Sequence, residues 1–514
     1  MNKSYQNLII VFIALATTSL HFLAGSDFEY QRDELLYFSF CRHLDFGYAT
    51  EPPLSGFVAF IAKSFFGYSL FAVRFLPAIL SGMLIYLSAL TAKELNGGFR
   101  SQLITAIGVG TSTFLVMIYG AFTPYCFDIF FWTLTIYFLI RFLKTDENSY
   151  LLLIGAVTGI AFLNKYSILF LLFSILVVIR FTKHRKVILD KYFYYAVLIF
   201  FVITSPNIIW QINHHLPVIN HMIELNNSQL SNVNRISFLV EQLILLLPCT
   251  FIILPGIIFF LVNKEFKEFR LLISVSAFII FLFFLLRGKS FYTAGLFPFF
   301  IVTGGLFIEK AVKTPYLFYT ILLAFLILSA LLLPLGMPVL KPDKMVCYFD
   351  SFTKLIGADF LRKDEDGNYR SLPQIDADML GWNEITQITH KAWEQVENKD
   401  NCFIFCTNYG QAGAISIIGG KYGLPEPISF SESFKYWFPL KFSHTINEVI
   451  YVISSDAMES GNFKDMKEFF NEMIEIGSVN NRLAIEYNTK IYLFKNPKSD
   501  FNEFWKGQIS GYRK

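Results

Sequence analysis

Apolar runs of about twenty residues follow one another from Met1 to about Leu340, and this pattern limits the fold more than any other feature. A helix satisfies its own backbone in lipid, and roughly 20 mainly apolar residues are needed to cross the hydrocarbon. Candidate spans lie near residues 5–25, 70–95, 102–120, 127–143, 150–164, 166–182, 192–209, 236–262, 271–286, 291–311 and 315–336, about eleven in all. The 150–182 stretch reads either as one kinked helix or as two short ones. Only 16% of the 514 residues are charged, against about 25% in soluble domains, which excludes a soluble enzyme. A net charge of +3 is too small for a chain that coats nucleic acid. From Lys341 onward the composition is that of an ordinary soluble protein, with 20 basic and 24 acidic residues against 23 and 16 before it. The expected architecture is therefore a polytopic α-helical membrane domain over 1–340 with a large first outer loop (26–68), followed by a soluble α/β domain over 341–514.

Positive charge marks cytoplasmic loops. Arg100, Arg141, Lys144, the cluster from Arg180 to Lys191, Lys264, Lys267, Arg270, Lys310 and Lys313 fall in one alternating set of loops. The other set carries Asp27, Glu29, Asp33, Glu34, Asp45, Glu51 and Asp128. The first set is expected in the cytoplasm, and an odd number of spans then leaves the tail outside. In the tail, 402–406, 449–454 and 491–494 read as strands, and 384–397 and 465–475 as helices. Gly410, Gly413, Gly419 and Gly420 do not form a GxGxxG frame, so no nucleotide site is expected there. Cys402 and Cys406 share a strand face and suit core packing, or a disulfide to Cys347 outside the cytoplasm.

The 26–68 loop holds the densest group of polar candidates. Tyr30-Gln31-Arg32-Asp33-Glu34-Leu35 precedes Gly47-Tyr48 and Glu51-Pro52-Pro53-Leu54, with Leu35, Leu36, Phe38 and Phe40 at helical spacing between them. The apolar residues would lie along a membrane surface with the carboxylates turned towards the bundle. Asp33 and Glu34 point about 100° apart on a helix, so they would do different work; the plainer alternative is solvated loop charge. Asp128 is a lone carboxylate at the outer end of an apolar span, there either to reach the interface or to face Asp33 across a cavity. Lys165, in Leu163-Asn164-Lys165-Tyr166, lies between two apolar runs; Arg287, Lys289 and Tyr292 lie where the ninth span leaves the membrane. Lysine as a point charge and arginine as a planar fork both suit a phosphate; interfacial anchoring is the alternative, most of all for Arg287. His214, His215 and His221 are read as polar loop residues rather than metal ligands.

Together these residues resemble the bacterial members of the protein O-mannosyltransferase and lipid A aminoarabinose transferase superfamily. The resemblance rests on Arg32-Asp33-Glu34, Gly47-Tyr48, Glu51-Pro52-Pro53-Leu54, Pro124-Tyr125 through Asp128, Leu163-Asn164-Lys165-Tyr166, Ser205 to Gln211 and Gly288-Lys289-Ser290-Phe291-Tyr292, in order. Asn408-Tyr409-Gly410-Gln411-Ala412-Gly413-Ala414 is similar to a segment in the soluble tail of one branch. The aminoarabinose branch usually has a lysine after the glutamate, whereas Pro52 follows Glu51 here.

The resemblance implies the GT-C fold and an inverting glycosyltransferase. It would use a polyprenyl-phosphate sugar donor and an extracytoplasmic lipid, glycan or protein acceptor at a bacterial inner membrane. It implies Asp33 as catalytic carboxylate, Glu34 positioning donor or acceptor, Asp128 as a second acid, Glu51 in the sugar pocket, and Lys165 and Lys289 on the lipid phosphate with Tyr292 assisting. No cofactor is required, although some relatives bind a divalent metal near the cavity. The rival readings are a transporter or flippase of a lipid-linked substrate, which should place acids or broken helices near the bilayer midplane, and a non-catalytic membrane scaffold.

Overall fold

The computed structural model describes residues 3–357, 359–364 and 367–510. The chain divides into two compact units: Met1–Ala24 with Phe46–Ser55 and Arg74–Val339, and Gly25–Asp45 with Gly56–Val73 and Leu340–Lys514.

The first unit is helical. Among the described residues, seven helices are long and apolar enough to cross a membrane: Ser4–Leu23, Leu70–Glu94, Pro124–Thr145, Lys191–Asn213, Lys264–Leu285, Ser290–Ala311 and Pro315–Leu335. Two bent pairs, Phe99–Thr111 with Thr113–Tyr119 (60°) and Arg235–Leu245 with Thr250–Val262 (101°), raise the number to nine if each is one span. The 150–182 stretch resolves into two short apolar helices, Ser149–Phe162 and Ile168–Ile179. Every apolar run of the sequence is thus helical, but four of the eleven are bent or too short to cross alone. The two bends satisfy each other. Ser112 is extended (φ −61°, ψ 122°), and the next residue, Thr113, donates from both its N–H (2.9 Å) and its hydroxyl (3.1 Å) to the Leu247 carbonyl, which lies in the other break. Irregular backbone survives within an apolar bundle only when protein supplies such partners.

Small residues set the helix spacing. A Cβ on Gly155 would lie 2.4 Å from the Ala196 carbonyl oxygen, and one on Gly256 would lie 2.6 Å from the backbone of Thr303 and Gly304. These contacts bring Ser149–Phe162 against Lys191–Asn213 and Thr250–Val262 against Phe297–Ala311. Backbone-to-backbone approach of this kind drives association where lipid is as apolar as the side chains.

The second unit is built on a four-stranded sheet of order β1-β2-β4-β3: β1 Cys402–Cys406, β2 Glu448–Ile453, β3 Phe470–Ser478 and β4 Lys490–Pro497. β1 and β2 are parallel, while β4 is antiparallel to both β2 and β3. One face carries Phe403, Phe405, Tyr451, Phe463, Phe494 and Trp505 in a single apolar cluster. Trp382–Glu394 is helical as expected, but residues 465–475 are not one helix: Gly461–Phe469 is, and Phe470 begins β3. Phe463, Met466, Met473 and Ile474 mimic helical spacing. The ladder to β4, which pairs Met473 with Phe494 and Ile474 with Leu493, decides otherwise. Cys402 and Cys406 are buried thiols in β1 and Cys347 is exposed; no disulfide joins them.

Arg32–Ser39 forms a helix within this unit. Gln31 and Glu34 close a capping box at its start, with the Asp33 amide donating to Gln31 Oε1 (2.6 Å) and the Gln31 amide to Glu34 Oε2 (2.9 Å). Its apolar residues do not lie on a membrane surface. Leu35 packs against Gly413 of the Tyr409–Ile418 helix, where an added Cβ would meet Leu35 Cβ at 2.7 Å and its backbone at 2.9 Å. The glycines Gly410 and Gly413 are therefore contact residues for the Arg32 helix.

Candidate functional site

A cavity of the first unit forms where the sequence breaks a helix. Between Phe162 and Ile168 the chain leaves helical geometry, and Lys165, Tyr166 and Ser167 occupy the break. Three hydrogen bonds tie it down. Asn164 Nδ2 donates to the Pro124 carbonyl (2.9 Å), the Leu54 amide to the Leu163 carbonyl (2.9 Å), and the Ser167 hydroxyl to Asp128 Oδ1 (2.7 Å). Asp128 itself sits in the second turn of Pro124–Thr145 and is 5% exposed. A carboxylate so deeply placed is costly unless compensated; Ser167 supplies a hydrogen bond and Lys165 an opposite charge.

Glu51 is delivered by a strap, Phe46–Ser55, held on the Lys191–Asn213 helix. Asn207 Nδ2 donates to the Phe46 carbonyl (2.7 Å), and its Oδ1 accepts from the Tyr166 hydroxyl (2.9 Å), which in turn accepts from Gln211 Nε2 (2.9 Å). Gly47 lies flat on the Trp210 ring, where a Cβ would fall 2.4 Å from a ring carbon. The strap closes on itself through the Tyr48 amide and the Glu51 carbonyl (2.9 Å). Glu51 Oε1 then lies 3.7 Å from Lys165 Nζ, and the ammonium stands 3.9 Å above the Tyr125 ring.

Lys289 and Tyr292 come from the turn into the Ser290–Leu296 3₁₀ helix. Gln242 fastens this turn, donating to the Ser290 carbonyl (2.9 Å) and accepting from the Thr293 hydroxyl (2.5 Å). Gly295 packs on the Trp132 ring of the Asp128 helix, with no room for a Cβ. The result is a cavity of about 650 Å³ whose wall includes the polar or charged Glu51, Tyr125, Asp128, Lys165, Lys289 and Tyr292 together with the apolar Leu169, Phe170, Phe173, Met222, Leu225 and Phe283.

Five of the eight residues singled out from the sequence thus share one cavity: Glu51, Asp128, Lys165, Lys289 and Tyr292. Arg287 does not line it; its guanidinium donates to the Ser231 carbonyl. Asp33 and Glu34 belong to the second unit. There Asp33 Oδ1 accepts from the Tyr409 hydroxyl (2.8 Å), and Glu34 is fully buried in its capping box. The sequence assigned no cavity role to Tyr125, Ser167 and His221, which line it, nor a strap role to Asn207 and Gln211. Asn207, Trp210 and Gln211 fall at i, i+3 and i+4, one helix face, a signal already present in the Ser205–Gln211 motif. His214 stacks on Trp210 at 4.0 Å between ring centres. Among the described residues no three His, Cys, Asp or Glu side chains are grouped to hold a metal ion.

Residues 50–210 match the dolichyl-phosphate-mannose-protein mannosyltransferase family. That segment contains Glu51, Asp128, Lys165, Asn207 and Trp210. Among solved structures, ArnT from Cupriavidus metallidurans bound to undecaprenyl phosphate is similar over 96% of this chain and 98% of its own, with a TM-score of 0.64 and 13% identity. The archaeal oligosaccharyltransferase AglB from Archaeoglobus fulgidus, in complex with an inhibitory peptide and a dolichol-phosphate, covers 89% of this chain and 70% of its own. Its TM-score is 0.50, and its identity is also 13%. No curated protein matches the chain significantly. At such identities the likeness is one of fold, and the family match adds a sequence signature within it. The chain is a membrane protein with the GT-C fold, and residues 50–210 within it resemble the mannosyltransferase family.

Proposed function

We propose that the protein is an inverting glycosyltransferase that moves a sugar from a polyprenyl-phosphate donor to an extracytoplasmic lipid, glycan or protein acceptor at a bacterial inner membrane. The observation that carries this reading is the mixed lining of the cavity, in which Lys165 and Lys289 occur together with Leu169, Phe170, Phe173 and Phe283. A phosphate on a long isoprenoid calls for that combination of cation and hydrocarbon. The undecaprenyl phosphate and dolichol-phosphate named for the ArnT and AglB structures support the same donor class.

In this scheme the acceptor oxygen attacks the anomeric carbon while the bond from that carbon to the phosphate oxygen breaks. The electron pair passes to the phosphate, and one in-line displacement inverts the centre. Lys165 and Lys289, with Tyr292, stabilise the growing phosphate charge in a partly dry site, where each contact counts for more than in water. Glu51 lines the sugar pocket and holds the Lys165 ammonium ready; Asp128 orients Ser167 and balances Lys165. Asp33, assigned by motif order, accepts the proton of the acceptor hydroxyl, and Glu34 sets the turn from which Asp33 projects. Arg287 enters as a flanking cation.

The test is transfer in lipid nanodiscs with a panel of undecaprenyl-phosphate-linked hexoses and pentoses, comparing the natural chain with Asp33→Asn. Transfer that depends on Asp33 is expected. Undiminished transfer by Asp33→Asn would remove that residue from the chemistry. Absence of transfer, together with movement of a lipid-linked sugar across vesicles, would replace the enzyme by a flippase.

A further inference from the structure

The proposed reaction leaves one motif without a role, Asn408-Tyr409-Gly410-Gln411-Ala412-Gly413-Ala414, and the geometry of the second unit supplies one. Tyr409 is the first residue of the Tyr409–Ile418 helix, and its hydroxyl donates to Asp33 Oδ1 at 2.8 Å. The ring is clamped. The Arg32 guanidinium lies 4.6 Å from its centre, and Arg32 can come this near because residue 410 is glycine: a Cβ there would meet Trp382 at 2.7 Å and the Arg32 side chain at 3.1 Å.

The helix start is equally fixed. Asn408 Oδ1 caps the Gln411 amide (3.0 Å) and Asn408 Nδ2 donates to Glu486 Oε1 (2.9 Å). The other Glu486 oxygen accepts from Gln411 Nε2 (2.8 Å) and the Thr489 hydroxyl (2.5 Å). These bonds fix the Asn408 end of the helix, and Tyr409, its first residue, carries the contact to one oxygen of Asp33. A hydrogen-bonded cap of this kind favours one geometry at the helix start.

We infer that Tyr409 is a positioning residue for Asp33, the means by which the C-terminal module orients the carboxylate of the first loop and favours its ionised form. The inference rests on the proposed role of Asp33 as proton acceptor. Burial, and next the Asp33 charge, push the Tyr409 hydroxyl well above its ordinary range, so it keeps its proton and donates throughout neutral pH. Burial works against the Arg32 charge, but the neighbouring Asp378, Glu486 and Asp33 carboxylates oppose it and Arg32 stays cationic beside Asp33. Tyr409 and Arg32 are among the groups that face Asp33, and Asp378 and Glu486 act on the same guanidinium. Removing a hydrogen bond to the charged form raises a carboxyl pKa.

The experiment reads Asp33 without requiring turnover. The full chain in detergent is treated with a water-soluble carbodiimide and glycine ethyl ester across pH 3–8, and modification of the Asp33 peptide is followed by mass spectrometry. The reagent modifies the protonated carboxyl, and Asp33 is only partly buried. Tyr409→Phe is expected to raise the labelling midpoint by about one pH unit; Tyr409→Met, which also lacks the hydroxyl, serves if the first variant does not fold. Where transfer is observed, its acid limb should move in the same direction, with kcat reduced about tenfold and KM little changed. A folded variant with an unmoved Asp33 midpoint overturns the inference, whatever the transfer assay shows. Normal transfer by Asp33→Asn instead overturns the role of Asp33 and leaves the Tyr409 contact standing.

Discussion

Replacing Lys165 by methionine isolates the charge on which the proposed chemistry depends. Its ammonium is 3.7 Å from Glu51, and the two side chains are 18% and 12% exposed. At an effective dielectric near 20, unit charges at that separation attract by about 4 kcal/mol, and desolvation of the pair cancels much of this. The costly change is therefore the loss of one partner, which leaves the Glu51 charge in a largely dry site without its lysine. Lys165→Met should lower stability by about 2 kcal/mol, and Lys165→Met with Glu51→Gln should recover more than half of that. Binding separates the ligand role from the structural one. A hydrogen bond to a charged group contributes about 1.5–3 kcal/mol, so the Kd for undecaprenyl phosphate should rise roughly 10- to 100-fold in Lys165→Met, and far less in Lys165→Arg. Melting in detergent and thermophoresis with undecaprenyl phosphate measure the two effects. An unchanged Kd in Lys165→Met would refute the phosphate role, and equal melting of the single and double variants would refute the pairing with Glu51.

Four further outcomes are expected. Gly47→Ala drives a methyl into the Trp210 ring, so it should displace the strap, cost about 1–3 kcal/mol and depress transfer; Trp210→Leu in the same background should restore part of both, and full activity of Gly47→Ala would mean that the strap does not set Glu51. Burial pushes the Asp376 carboxyl up to about 7, so the folded state holds its proton more tightly than the unfolded one, and stability falls as pH rises from about 4 to that value. Asp376→Asn should accordingly raise the melting temperature at pH 8 and leave it nearly unchanged at pH 4; equal gains at both would discredit the burial argument. Because Lys165 and Lys289 supply the positive charge, transfer should persist in EDTA, and its loss with recovery on added magnesium would make a divalent cation part of the site. If the basic loops are cytoplasmic, as proposed, protease added to intact spheroplasts should cleave the region after Leu340; protection would reverse the orientation.

Much of this was legible because the physics is local. Lipid accepts only self-satisfied backbone, so apolar runs of about twenty residues declare helices wherever they occur. Lys165 stood out as a cation between two such runs, Asp128 as an acid inside one, and both line the cavity. The 465–475 segment misled because Phe463, Met466, Met473 and Ile474 carry a helical period, while the partner that makes residues 470–478 a strand lies at β4, beyond any local window. Glu34, expected to position donor or acceptor, also accepts from the Gln31 backbone three residues earlier, a local role that the motif does not announce.

The sequence by itself determined that the chain is a membrane helical protein with a soluble α/β tail, and it placed the scarce charges at the breaks and ends of its apolar runs. Only the tertiary structure decided which charges meet. It brought Glu51 to Lys165 through a strap anchored by Asn207 and Trp210, and it joined Asp33 to Tyr409 across 376 positions of chain. Helical spans are fixed by neighbours a turn away, whereas a site is assembled by packing between segments whose separation along the chain carries no trace of their contact.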